Sequence, residues 1–163
     1  MRHLALLTSA IFVACSGAGD SPTDTPSQSH NVGGIEYSAE TLVMESFPVQ
    51  LQTIVTARNA SDADVELNFP YPCVVALHAY TDSTLTGEPA WSQERFIGCI
   101  AVIFDDTIAA GDTAQYAAPR TDGYEVLGDS LPDGRYWLMA SLNPGGQRVE
   151  LPAGVVDLAI PRE

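Results

Sequence analysis

The residues able to do covalent or metal chemistry are few and widely separated. Cysteines stand at positions 15, 73 and 99, and histidines at 3, 30 and 78. No set of histidines and further cysteines at ligand spacing completes a zinc site around Cys73 or Cys99. No Gly-x-Ser-x-Gly elbow raises a serine above a strand. His78, placed among Val74, Ala76 and Tyr80, reads as a sheet residue and not as a base. Asp62, Asp64 and Glu66 alternate, so a strand would put them on one face, where hard oxygen ligands can hold calcium. The glycine and distal glutamate of an EF-hand loop are missing. Further carboxylates stand at Asp105, Asp106, Asp122 and Glu125. The alternative is a row of solvated charges that keeps an edge strand from pairing with other molecules. Tyr71, Trp91 and Phe96 flank Cys73 and Cys99. Aromatic residues on loops suit a protein-binding surface, and Trp91 could instead belong to the core.

Cys15 has a different context. Met1-Arg2-His3 is followed by an almost wholly apolar run from Leu4 to Ala14. As a helix those eleven residues would be about 16 Å long, half the thickness of a bilayer core, which fits a secretory signal better than a span. Phe12-Val13-Ala14-Cys15 resembles the lipobox of bacterial lipoprotein signal peptides. The resemblance implies cleavage before Cys15 and a lipid on its thiol; an ordinary secretory signal is the other reading. Residues 15–31 contain no large apolar side chain and read as a flexible tether behind a signal peptide of residues 1–14. Ser16 after the cysteine points to the outer membrane, facing the periplasm or the cell surface. With Cys15 lipidated, Cys73 and Cys99 remain as a pair in an oxidising compartment, either bridged or as two buried thiols. A bridge between them would close a loop worth about 3.5 kcal/mol on the chain-entropy estimate.

Charge excludes one class of partner. The chain has 21 acidic residues against seven basic ones, all arginine, for a net charge of −14. So acidic a surface repels nucleic acid and anionic headgroups, so the expected membrane link is the lipid alone. No cofactor is implied.

The elements that must position these residues are strands. Ile35 to Met44, Val49 to Arg58, Val65 to Phe69 and Cys73 to Tyr80 alternate in the manner of half-buried strands. Asn59-Ala60-Ser61-Asp62 and Leu131-Pro132-Asp133-Gly134 read as turns. The continuous apolar run Gly98 to Phe104 predicts a buried strand. Thr113 to Ala117 and Arg135 to Leu142 add two more strands, and Gln147 to Leu151 and Val155 to Ile160 close the sheet as separate segments. Thr121 to Ser130 has room for a short helical turn. Eight or nine strands with no amphipathic helix predict an all-β antiparallel sandwich over residues 32–163.

The landmarks Asn59-Ala60-Ser61-Asp62, Gly87-Glu88-Pro89-Ala90-Trp91-Ser92, Ile108-Ala109-Ala110-Gly111-Asp112 and Leu131-Pro132-Asp133-Gly134-Arg135-Tyr136 fall in a recognisable order. Over residues 47–142 the chain resembles the intracellular proteinase inhibitor (BsuPI-type) domain. That resemblance implies an immunoglobulin-like sandwich, a tyrosine packed at the sheet edge, and inhibition of a protease. The export signal and the cysteine pair depart from a cytoplasmic inhibitor, and Ala117-Ala118 replaces an expected aromatic. The expected function is therefore a non-enzymatic, lipid-anchored module that contacts an envelope protein, a protease among the candidates. A domain binding calcium or another ligand through its acidic loops is the alternative.

Overall fold

The computed structural model describes residues 29–99 and 102–160. Cys15 and the apolar run before it lie outside these residues, as do most of the expected tether and the middle of the 98–104 run. The described chain is an antiparallel β-sandwich. Its eight strands of five residues or more are accompanied by three short ladders of two or three residues.

One sheet takes β1 (His30–Val32), β2 (Ile35–Met44), β3 (Gln50–Asn59) and β8 (Thr113–Ala117) in that order, with β9 (Thr121–Asp122) also on β3. The second runs β11 (Val149–Leu158), β10 (Gly134–Leu142), β5 (Val75–Tyr80), β6 (Trp91–Ser92). A separate ribbon pairs β4 (Val65–Phe69) with β7 (Phe104–Ile108). His30 and Asn31, expected in the tether, pair with Tyr37 and Glu36 in β1 instead. Gly33 and Gly34 close that hairpin, both at positive φ, which a two-residue turn of this hand requires.

Alternation puts one face of each sheet inside. Leu51, Thr53, Val55 and Ala57 of β3 meet Val75, Leu77 and Ala79 of β5 and Tyr136, Leu138 and Ala140 of β10 in the core. Tyr136 is buried in this core, opposite Val156 of β11 and just before β10 begins to pair with β5; its hydroxyl donates to the Pro132 carbonyl at 2.6 Å. Burial pushes the Tyr37 hydroxyl up to about 12. The short helix appears as α1 (Gly123–Leu127). Asp122 caps it by accepting the Glu125 N–H, and Glu125 returns the contact to the Asp122 N–H.

Asn59 pins the turn read at 59–62. Fully buried, it donates to the carbonyls of Ala63 (2.7 Å) and Ile108 (2.9 Å) and accepts from the Ser61 backbone and hydroxyl.

Two expectations need correction. The segment 147–160 holds one strand, β11 (Val149–Leu158), and not two. Leu138 pairs Gly154 and Met139 pairs Pro152, leaving Ala153 as a bulge. The extra residue, itself buried, shifts the parity, so Val149 and Leu151 face in before it and Val156 and Leu158 after it. The described residues of the 98–104 run do not make a buried strand. Val102 and Ile103 are exposed, Phe104 is partly so, and pairing begins only at Phe104.

Candidate functional site

The second sheet has an outer face that is not simply solvent-exposed. β5 is buried throughout and begins at Val75, not at Cys73. Val75, Leu77 and Ala79 fill the core, so Ala76, His78 and Tyr80 occupy the opposite face. That face is covered because β6 supplies only two residues and the chain then turns over it as a short 3-10 segment, Gln93–Arg95. Buried Gln93 extends the interrupted ladder. Its Oε1 accepts the Leu77 N–H at 3.1 Å, and its Nε2 donates to the Pro119 carbonyl of the facing layer at 2.8 Å.

His78 is the centre of this face. Its Nδ1 lies 3.0 Å from Ser92 Oγ and its Nε2 2.7 Å from Ser141 Oγ, with all three residues buried. Arg148 brings an N–H to 3.4 Å from Nε2. A donor there favours the tautomer with the proton on Nδ1, which donates to Ser92. Burial lowers the His78 pKa; Glu94 opposes the shift, and Arg148 reinforces it. The Arg148 guanidinium also donates to Glu94 at 2.9 Å and to Glu150 at 2.8 Å, forming a strap across the face. Half exposure keeps each of these ion pairs to about 1 kcal/mol or less.

Two cavities flank the strap and share Glu94 and Arg148 in their walls. The first, of about 310 Å³, is lined by Tyr71, Val74, Ile97, Leu142 and the sulfur bridge. The second, of about 380 Å³, is bounded by His78, Tyr80, Arg95 and Glu150. A serine 2.7 Å from an imidazole has the contact of a nucleophile and its base. However, Ser141 is a buried residue of a paired strand, and the far nitrogen of His78 meets a serine where a carboxylate would hold an imidazolium. The arrangement suits hydrogen-bonded recognition better than acyl transfer.

Cys73 and Cys99 form a disulfide with Cα atoms 6.0 Å apart, joining the segment before β5 to the one before β7. Around it Tyr71 is half exposed and Phe96 is 71% exposed, whereas Trp91 is in the core. Trp91 is therefore withdrawn from the expected binding surface, and Phe96 stacks on it at 6.2 Å. The expected acidic face does not form either. Asp62 and Asp64 belong to the turn, Asp64 accepting the Ala110 N–H, and only Glu66 is within β4. Among the described residues no three His, Cys, Asp or Glu side chains gather at cation-binding distance.

No family model and no curated protein matches the chain. Among solved structures it is similar to the X-ray structure of the Northeast Structural Genomics Consortium target SoR45. That match has 15% identity, covers 78% of this chain and 88% of that one, and has a TM-score of 0.33.

Sequence reasoning placed Cys73, Cys99, Tyr71 and Phe96 at this end of the sheet. It passed over Ser92, Glu94, Ser141 and Arg148, which lie up to 70 residues from His78 in sequence and carry no shared motif.

Proposed function

We propose that this protein is a non-enzymatic, lipid-anchored extracytoplasmic module that acts by contact with another envelope protein, in the manner of a proteinase inhibitor. The observation behind this reading is the apolar loop at the disulfide. Val102, Ile103 and Phe104 are exposed, and so are Tyr71 and Phe96 on the segments that lead into Cys73 and Cys99. A folded chain gains nothing by leaving consecutive large apolar side chains in water, so such a patch marks a surface that a partner covers. A covalently tied loop also loses less conformational entropy on docking. Lipidation of Cys15 supplies the address in this reading, since the acidic surface offers no electrostatic attachment to a membrane.

The test compares the intact chain with Ile103→Asp against a panel of serine proteases. Slowing of at least one protease at micromolar protein is expected, lost in Ile103→Asp with no change in melting temperature. If no protease is slowed, the inhibitor assignment fails. Intact mass of the protein from membranes tests the anchor: a mass retaining residues 1–14, or lacking acyl groups, would remove it.

A further inference from the structure

Strand β6 ends after two residues, and the edge it leaves is not closed by further pairing. Trp91 pairs with Ala79 and shares its inward side, whereas Ser92 pairs with His78 on the outer face. A cavity of about 320 Å³ lies at this edge between the two layers. On one side are Trp91, Phe96 and Ile97, and on the other Pro119–Thr121 with Glu125 of α1. The apolar wall is Trp91, Phe96, Ile97 and Pro119. The Trp91 and Phe96 rings are 16° from parallel, with centroids 6.2 Å apart.

The polar groups of the wall are of two kinds. Arg120 and Glu125 are exposed, so solvent serves them, and their opposite charges favour neither sign of ligand. Buried Thr121 donates to Glu125, and buried Gln93 holds the Leu77 N–H and the Pro119 carbonyl. Trp91 differs from all of these. It is 6% exposed, and its Nε1 is a buried donor with no hydrogen-bond partner. Every other buried side-chain nitrogen or oxygen among the described residues has one. An indole N–H only donates, so whatever completes it must be an acceptor. A buried donor left unpaired costs far more than the exchange of one hydrated bond for another. Selectivity therefore follows the Trp91 N–H and not the exposed charges.

We propose that the cavity at the β6 edge binds a small, flat, uncharged aromatic molecule whose carbonyl oxygen accepts the Trp91 Nε1–H. Its volume is at the lower end of the roughly 300–1,000 Å³ of ligand pockets, which suits one ring with its substituent. Two near-parallel aromatic side chains in the wall favour an aromatic body over an aliphatic one. Phe96, otherwise left 71% exposed, gains cover from the ligand. The site is separate from the docking loop and uses none of Val102, Ile103 and Phe104.

The experiment follows the indole N–H resonances of the nitrogen-labelled full chain by NMR. There are two tryptophans, Trp91 and Trp137, so the second is an internal control. Trp91→Phe removes one signal and so assigns both. Phe96→Ala strips the ring stacked on Trp91, shifts the same signal and gives an independent assignment. The probes are acetophenone and α-methylstyrene, which differ only in a carbonyl oxygen replaced by a methylene. Acetophenone is expected to move the Trp91 proton downfield with saturation and to leave Trp137 in place. α-Methylstyrene should bind at least about tenfold more weakly and cause no downfield movement. In Trp91→Phe, calorimetry should show the two probes binding alike. Phe96→Ala, at an exposed position, should keep the melting temperature and weaken both probes several-fold. A Trp91 resonance unmoved by millimolar acetophenone, which is also the result if water alone satisfies the indole, would overturn the proposal. So would equal binding of the two probes to the unaltered protein, or full affinity in Phe96→Ala. Ile103→Asp should leave the titration unchanged, so failure of the docking loop and failure of this site are told apart.

Discussion

The Nε2 atom of His78 and the hydroxyl of Ser141 lie 2.7 Å apart on the outer face of a sheet, 63 residues apart in sequence and both buried. The contact exists because β5 and β10 are neighbours, with Ala76 opposite Ser141 and Met139 opposite His78. A side chain placed diagonally across two paired strands is within reach of a ring as long as imidazole.

The depressed His78 pKa gives stability a sign in acid. In the unfolded chain the imidazole titrates near 6.5, and in the fold it titrates lower, chiefly through burial. Between those values the unfolded chain holds a proton that the folded chain lacks, so acid favours unfolding. The contribution is complete above about pH 6.5 and declines as pH falls towards the folded value. Around His78 the charged groups are Glu94, Glu150, Arg148 and Arg95. Melting temperature should fall from pH 7 to pH 5, and the fall should be shallower in His78→Gln. Parallel curves for the two proteins would contradict this.

Asn59 should be among the most costly polar positions to change. Truncation to alanine removes the donor shared by the carbonyls of Ala63 and Ile108 from a side chain that is itself fully buried. We expect a loss of about 2–4 kcal/mol in denaturant unfolding. Asn59→Asp should be no better, because it keeps the acceptor for Ser61 and turns a carboxylate towards two carbonyls. A loss below about 0.5 kcal/mol for both would show that the turn is held by something else.

Replacing both Cys73 and Cys99 by serine should cost about 3.5 kcal/mol, the entropy of a loop with sequence separation 26. Reduction of the unaltered protein should shift its denaturation midpoint by the same amount. A double variant as stable as the oxidised protein would mean that the sandwich itself fixes these segments.

Deletion of Ala153 tests the bulge in β11. Without it Pro152 and Gly154 become consecutive partners of Met139 and Leu138, and the strand keeps a period of two with Leu151, Val156 and Leu158 still inward and Asp157 outward. The deletion is expected to leave a soluble, folded protein with a modest fall in melting temperature from the loss of the buried Ala153 side chain. An unfolded or insoluble chain would show that the sandwich needs the bend of the bulge itself.

What the sequence determined by itself is local. Alternation in 35–44, 50–59, 65–69 and 135–142 is a period that only a half-buried strand satisfies, so the strands, their inward faces and the all-β class were legible. The Cys73–Cys99 pairing was legible too, because the count leaves few choices. Tertiary structure decided the rest. Hydrophobicity made 98–104 look like an interior strand, yet the disulfide and the pairing that starts at Phe104 leave Val102 and Ile103 in the open. A one-residue bulge disguised β11, since it breaks the only period that could reveal it. His78 looked like an ordinary sheet residue because its partners come from β6, β10 and the Arg148 strap. Periodicity tells which way a side chain points, whereas the candidate site depends on what the rest of the chain places in front of it.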